Sequence, residues 1–313
     1  MAAYLVTGGC GFIGSHLADG LVADGHRVRI LDDLSTGRLE NAPREAELLR
    51  GSIVDPDLVQ RAMAGMDGCF HLAAVASVTR SIEDWAGAHR VNLTGAIDVF
   101  DAARRAASPP VPVVYASSAA VYGDVGEAPV GEAAPTRPLS AYGADKRGCE
   151  LHAHAGGGVH GLPTFGLRFF NVYGPRQDPA SPYSGVISIF LGRIARHQPL
   201  TIHGDGEQRR DFVHVGDVVR CMRIAFAHAA PAAPVVNVCT GIGTSIIELA
   251  TMMTRLAGGD LPIQRGPARA GDARCSIGDP SGAHRQLGWR AEIGLADGLR
   301  RMLAAPPQTL GTT

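Results

Sequence analysis

Short apolar runs alternate along the first half of the chain with longer stretches whose apolar positions recur every three or four residues. The runs predict strands over 4–7, 27–31, 47–49, 69–72, 111–116 and 164–169. The longer stretches predict helices over 12–23, 56–63, 82–107 and 141–156. Regular strand–helix alternation builds a parallel sheet covered by helices on both faces, an α/β fold of the doubly wound kind. After Asn171 the pattern changes. Loops rich in Pro, Gly and Arg separate predicted helices over 185–197, 215–228, 245–256 and 295–303, with a late strand over 235–238. The expected organisation is a main domain over 1–170 to which segments near 212–240 return. A smaller interleaved lobe follows over 171–305, then a frayed tail over 306–313. No internal repeat is visible.

Composition narrows the function. Lys plus Arg is 29 and Asp plus Glu is 30 in 313 residues, a balance that does not suit a nucleic-acid partner. Gly is 40 of 313, about twice the usual share, as tight turns and close backbone approaches to a ligand require. The six cysteines, Cys10, Cys69, Cys149, Cys221, Cys239 and Cys275, form no CxxC pair, so neither a zinc site nor a redox dithiol is expected. The first residues run straight into a strand without a basic or long apolar leader, and no stretch reaches the length of a membrane span. The expectation is a cytoplasmic protein without a membrane partner.

Between the first strand and first helix stands Gly8-Gly9-Cys10-Gly11-Phe12-Ile13-Gly14. Gly8 suits the tight turn, Gly11 lets backbone N–H groups approach a pyrophosphate, and Gly14 allows close helix packing. The helix N-terminus adds partial positive charge. The second strand ends at Asp32, 18 residues after Gly14, where a carboxylate accepts both hydroxyls of an adenosine ribose and repels a 2′-phosphate. Asp33 follows with no adjacent Arg. This combination points to NAD and a Rossmann-type sheet.

A second constellation opens the helix predicted from 141. Tyr142 and Lys146, four residues apart, share one helical face. A phenol is a poor base at neutral pH, but an adjacent ammonium favours its ionised form and fits it to take a proton from an alcohol. Taken alone, such a pair is ordinarily a surface Tyr and a solvated Lys. The strand ending at Ser117-Ser118 alters that reading, because ligands of doubly wound sheets sit at carboxyl ends of strands.

GGCGFIG, HLAA, YASSAAVYG, SAYGADK, LRFFNVYGPRQDP, GDGEQRRDFVHVGDV and ARAGD occur in that order and span nearly the whole chain. In them the chain resembles the extended short-chain dehydrogenase/reductase family, within its NAD-dependent nucleotide-sugar epimerase/dehydratase group, and looks most like the UDP-hexose 4-epimerases. The resemblance implies that Ser118 and Tyr142 contact the sugar 4-hydroxyl and that Lys146 binds the nicotinamide ribose. It further implies cofactor contacts from Gly8, Gly11, Phe12, Ile13, Gly14, Asp32, Asp33, Ser35, Thr36 and Gly37. Ser52, Ile53, Leu72, Ala73, Ala74, Asn92, Ala116, Ser117 and Phe169 complete that set. For the UDP-sugar it implies Ser77, Asn171, Gly185 and Val186, with Arg210 and Arg269 on the diphosphate and Asp272 at the uridine end. Read without the family, those arginines are simply loop residues. Relatives often carry Asp where Ser52 stands, so a weaker acceptor would meet the adenine here.

The chemistry expected from this resemblance turns on the two residues after Ser118. The 4,6-dehydratases place acidic residues there to eliminate water, whereas this chain has Ala119-Ala120, which move no proton. A 4-epimerase remains, working through a 4-keto sugar and leaving its NAD unchanged. Ser276, four residues after Asp272, stands where some relatives place a bulky Tyr against N-acetyl groups, and Ala76 and Gly185 match other small wall positions. UDP-GlcNAc and UDP-GalNAc are therefore expected substrates beside UDP-glucose and UDP-galactose. A uronate or pentose 4-epimerase, a net reductase or a non-catalytic NAD-binding regulator are the other readings. His152, His154 and His160 do not share a helical face, and no metal is expected. Helices over 82–107 and 141–156 could form a four-helix interface, so the expected assembly is a homodimer.

Overall fold

A computed structural model describes residues 1–178, 185–259, 261–268 and 273–304. Along the first half run β1 (Ala3–Thr7), α1 (Phe12–Ala23), β2 (Arg27–Asp32), β3 (Glu47–Arg50), α2 (Pro56–Met63) and β4 (Gly68–His71). Then come α3 (Val78–Glu83), α4 (Trp85–His89), α5 (Gly95–Ala106), β5 (Val113–Ser118), α6 (Ala141–His160) and β6 (Thr164–Phe169). The second half holds β7 (Asn171–Tyr173), α7 (Val186–Ala195), β8 (Leu200–His203), β9 (Arg209–His214), α8 (Val215–Phe226) and β10 (Val235–Val238). It closes with β11 (Gly243–Ser245), α9 (Ile246–Leu256), β12 (Ile263–Gly266), β13 (Cys275–Ser276), α10 (Ser281–Leu287) and α11 (Leu295–Ala304).

Seven parallel strands form the main sheet in the order β10-β6-β5-β4-β1-β2-β3. This is the doubly wound arrangement, with its switch point between β1 and β4. The strands read as continuous apolar runs because both faces are buried. Val6, Ile30, Phe70 and Val114 point into the core shared with α1 and α8, while Leu5, Leu31, Cys69 and Val113 point into the one beneath α2, α5 and α6. Each such side chain contributes roughly 1.5–3 kcal/mol by leaving water. The lobe packs around a third core, in which Tyr173, Ile187, Phe190, Phe212, Leu249 and Leu299 meet.

The predicted helix over 82–107 is interrupted. Asp84 ends α3 and caps α4, accepting the Gly87 N–H, and a π-helical turn over Arg90–Thr94 separates α4 from α5. The widened turn turns Asn92 inward, where its amide exchanges hydrogen bonds of 2.8 and 3.2 Å with the Val75 backbone. Such single π turns recur at functional sites. In the other direction, α6 runs past 156 to His160 and stops at Gly161, whose φ of 65° closes a left-handed cap. Strands β7, β8, β11, β12 and β13 span two to four residues each, too few for a pattern to mark them, and β9 opens on the polar run Arg209-Arg210-Asp211.

Candidate active site

The glycine loop is shaped by contacts that exclude side chains. Gly8 has φ +71° and lies against the Ala73 backbone, whose nitrogen a Cβ would meet at 2.7 Å. A Cβ on Gly14 would lie 2.1 Å from the Gly8 carbonyl oxygen, so only glycine lets α1 begin directly under the loop. Gly11 precedes α1 without any side-chain cap, whereas α2 and α9 are capped by Asp55 and Ser245. The first-turn N–H groups at Phe12 and Ile13 thus receive no side-chain cap, the condition that lets a helix start hold an anion.

Asp32 ends β2 with its carboxylate accepting the Cys10 N–H at 2.9 Å and the Leu34 N–H at 2.8 Å. Gly37 backs onto it, since a Cβ there would meet Oδ1 at 2.8 Å. Burial pushes this carboxyl up, and the two backbone bonds oppose the shift. The arrangement suits adenosine ribose hydroxyls: a carboxylate held rigid, with lone pairs to spare. Asp33 turns to its own loop, accepting the Ser35 N–H beside Thr36. Ser52 accepts the Val54 N–H at 3.4 Å, while Ile53 is buried beneath Gly95. Thr7 Oγ1 accepts the N–H groups of Leu72 and Ala73 and so fixes the loop that continues through Ala74. Thr7 Oγ1 also lies 2.8 Å from His71 Nδ1. Burial, with the Lys146 charge adding to it, pushes His71 down to about 3, leaving a neutral ring.

Ser118 closes β5, and its hydroxyl accepts the Ala120 N–H at 3.1 Å. Ser140 caps α6 by accepting the Gly143 N–H, which places Tyr142 in the first turn. Lys146 follows one turn on, buried to 3 % exposure, with Nζ 5.9 Å from the Tyr142 ring centre. That ammonium donates to the Ala116 carbonyl at 2.9 Å. Tyr142 and Lys146 are thus brought to the carboxyl end of the strand that carries Ser118. Ser117 alternates to the opposite face, where its hydroxyl donates to Glu150 at 2.6 Å. The Asn92 amide is likewise committed to Val75, and it supports the loop after β4.

Phe169 ends β6, and Asn171 opens β7 opposite Phe212 of β9. Ser77 caps α3 by accepting the Arg80 N–H. Gly185 and Val186 begin α7, again without a side-chain cap. Arg210 of β9 is the register partner of Ser276 of β13, so the structure sets side by side two residues that are far apart in sequence. Arg269 and Asp272 lie outside the described residues. Among the described residues no group of three His, Cys, Asp or Glu could hold a metal ion. No helix among them is long and apolar enough to cross a membrane.

Sequence reasoning passed over Glu150 and Arg168, which pair through two hydrogen bonds of 2.8 Å between α6 and β6. The available signal was spacing: Glu150 stands four residues after Lys146, on the same face.

Comparison with known proteins agrees with this geometry. The sequence profile of the NAD dependent epimerase/dehydratase family matches residues 4–239. A UDP-glucose 4-epimerase of Mycolicibacterium smegmatis is 38% identical over 306 residues, covering 95% of this chain and 96% of the relative. The crystal structure of a Thermotoga maritima UDP-glucose 4-epimerase with UDP-glucose superposes with a TM-score of 0.92 at 35% identity, over 96% of this chain and 97% of that one. A UDP-N-acetylglucosamine 4-epimerase of Methanobrevibacter ruminantium gives 0.91 at 32% identity with the same coverages. With its glycine cradle, its buried acidic strand end and its Ser, Tyr and Lys at one sheet edge, the chain belongs to the NAD-dependent epimerase/dehydratase family.

Proposed function

We propose that this protein is a UDP-hexose 4-epimerase that interconverts UDP-glucose with UDP-galactose and UDP-GlcNAc with UDP-GalNAc. The observation that carries the reading is the buried Lys146 ammonium, anchored on Ala116 beside the Tyr142 ring, with Ser118 followed only by Ala119 and Ala120. NAD, held by the loop from Gly8 to Gly14 and by Asp32, would supply a reversible hydride acceptor for C4. Tyr142 takes the 4-hydroxyl proton and gives it back, with the Lys146 ammonium 5.9 Å from its ring centre. Ser118 holds the C4 oxygen as it passes between hydroxyl and carbonyl. No acid stands next to Ser118 to expel water, so the sugar keeps all its hydroxyls. Arg210, with Arg269 beyond the described residues, grips the nucleotide diphosphate and Asp272 faces the uridine end, which leaves the hexose free to turn over within the site.

Ser276 beside Arg210 supports the wider substrate range, because its short side chain leaves room for an acetamido group. A homodimer is supported by apolar side chains standing in solvent on the helices beside the site: Ile82 at 68 %, Trp85 at 70 % and Leu151 at 54 % exposure. Six buried free thiols among the described residues accord with a cytoplasmic setting.

The test is incubation of purified protein with UDP-glucose and, separately, UDP-GlcNAc, without added NAD or metal, resolving the C4 epimers by chromatography. Conversion of both is expected. Conversion of neither, even with NAD supplied, sinks the reading in favour of a uronate, a pentose or net reduction. Ser276→Tyr should abolish N-acetylhexosamine turnover and spare the plain hexose; equal loss of both refutes the assignment of Ser276 as a pocket wall.

A further inference from the structure

Three residues on one face of α6 touch the end of β5 in succession. Gly143 approaches so closely that a Cβ would lie 2.5 Å from the Ala120 carbonyl oxygen. Lys146 Nζ donates to Ala116 O at 2.9 Å. Glu150 Oε1 accepts the Ser117 hydroxyl at 2.6 Å. The contacts at Ala116 and Ser117 therefore immediately precede the Ser118 hydroxyl, and the contact at Ala120 immediately follows the donor that the hydroxyl accepts.

Glu150 is 4 % exposed and accepts four hydrogen bonds, from Ser117, from Arg168 Nε and Nη2, and from Arg147 Nη1. Arg168, on β6 and equally buried, donates from Nη1 to the Tyr122 hydroxyl at 2.8 Å. Tyr122 in turn donates to Asn237 Oδ1 of β10 at 2.6 Å, and its ring lies under the guanidinium. One connected set of bonds thus ties the ends of β5, β6 and β10 to the helix that carries Tyr142 and Lys146. Burial pushes the Glu150 carboxyl up, but the bonds and charge of Arg168 outweigh it and hold the group ionised.

A buried ion pair is a poor way to stabilise a protein, since well-packed apolar residues do as well or better. Its distinctive property is geometric: a bidentate fork fixes both partners in angle as well as distance. We propose that Glu150, locked by Arg168, is a positioning residue for the reaction. Through Ser117 it sets α6 against β5 and thereby holds the Ser118 hydroxyl in register with the Tyr142 phenol. The kinetic consequences rest on the epimerase reading above, while the geometry does not.

Glu150→Gln leaves the Arg168 charge buried with a neutral partner and threatens the fold itself. Ser117→Ala is the sharper variant, because it cuts the tie to the strand and leaves the bonds from both arginines in place. We expect kcat to fall about tenfold, since small misplacements of reacting groups cost that much or more. KM for UDP-glucose should stay within twofold. A second readout needs no substrate: amide hydrogen exchange at Ala120, whose N–H the Ser118 hydroxyl accepts at 3.1 Å, should quicken in Ser117→Ala as the strand end loses its tie to α6. A kcat within twofold of wild type overturns the proposal, whatever the melting temperature does, and so does a rise confined to KM. Should wild type epimerise neither sugar, the functional reading fails by itself. The exchange rate at Ala120 then decides the positioning claim, and an unchanged rate overturns it.

Discussion

The cofactor side and the substrate side of the cleft are built from different parts. On the cofactor side the decisive contacts are made by backbone: Gly8 against Ala73, Gly14 against Gly8, and the Asp32 carboxylate held by two N–H groups. On the substrate side the candidates are side chains on short strands. Arg210 and Ser276 meet across a pairing in which β13 contributes only Cys275 and Ser276. Backbone contacts at van der Waals distance tolerate no added atoms, whereas side chains on a strand surface exchange freely.

Separating chemistry from both binding sides gives the largest effect. Tyr142→Phe should lower epimerisation by about three orders of magnitude, the span of a lost general base, while the NAD content of the purified protein stays unchanged. Loss of the cofactor in that variant would show that the phenol belongs to the cradle. Gly14→Ala attacks the cradle itself, because its Cβ would stand 2.1 Å from a carbonyl oxygen with no flexible atom to yield. We expect a loss of stability of about 2–4 kcal/mol in urea and cofactor released on denaturation reduced to background. Wild-type occupancy in this variant would break the contrast between the two sides.

The third prediction concerns the buried end of β4. His71 is pushed down to about 3, so between there and the ordinary histidine range the unfolded chain takes up a proton that the folded one refuses. Stability should therefore fall as pH drops below about 6.5, approaching 1.4 kcal/mol per unit, and be insensitive to this group above neutrality. His16 and His214, lowered by burial, act in the same direction. Urea midpoints between pH 4 and 8 should show a shallower acid limb in His71→Gln; an identical slope would mean that His71 is not the group responsible. The smallest effect belongs to the substrate side. Arg210→Ala should weaken UDP binding about tenfold by calorimetry, the worth of one charge-assisted contact to phosphate, with NAD content unaffected. A fall in both would tie the two sides together.

Elements and site were legible where a local rule governs them. The strands of the main sheet show as apolar runs because they are buried on both faces, and the loop from Gly8 to Gly14 shows because glycine has no substitute there. Tyr142 and Lys146 show because helical spacing alone sets them on one face. The break at Arg90–Thr94 did not show. It depends on Asn92 meeting the backbone of Val75, a partner supplied by another loop. Ser117 was grouped with Ser118 as one motif, yet strand alternation sends its hydroxyl to Glu150 on the far face.

By itself the sequence determined the doubly wound sheet, the glycine loop and the shared helical face of Tyr142 and Lys146, since each follows from the periodicity or conformational demands of adjacent residues. Only the tertiary structure decided the rest. It placed Arg210 beside Ser276, buried His71 against Thr7 and joined Glu150 to Arg168 and Ser117. Those relations arise between segments far apart along the chain, and they appear only once the sheet order and the packing of α6 have set the distances.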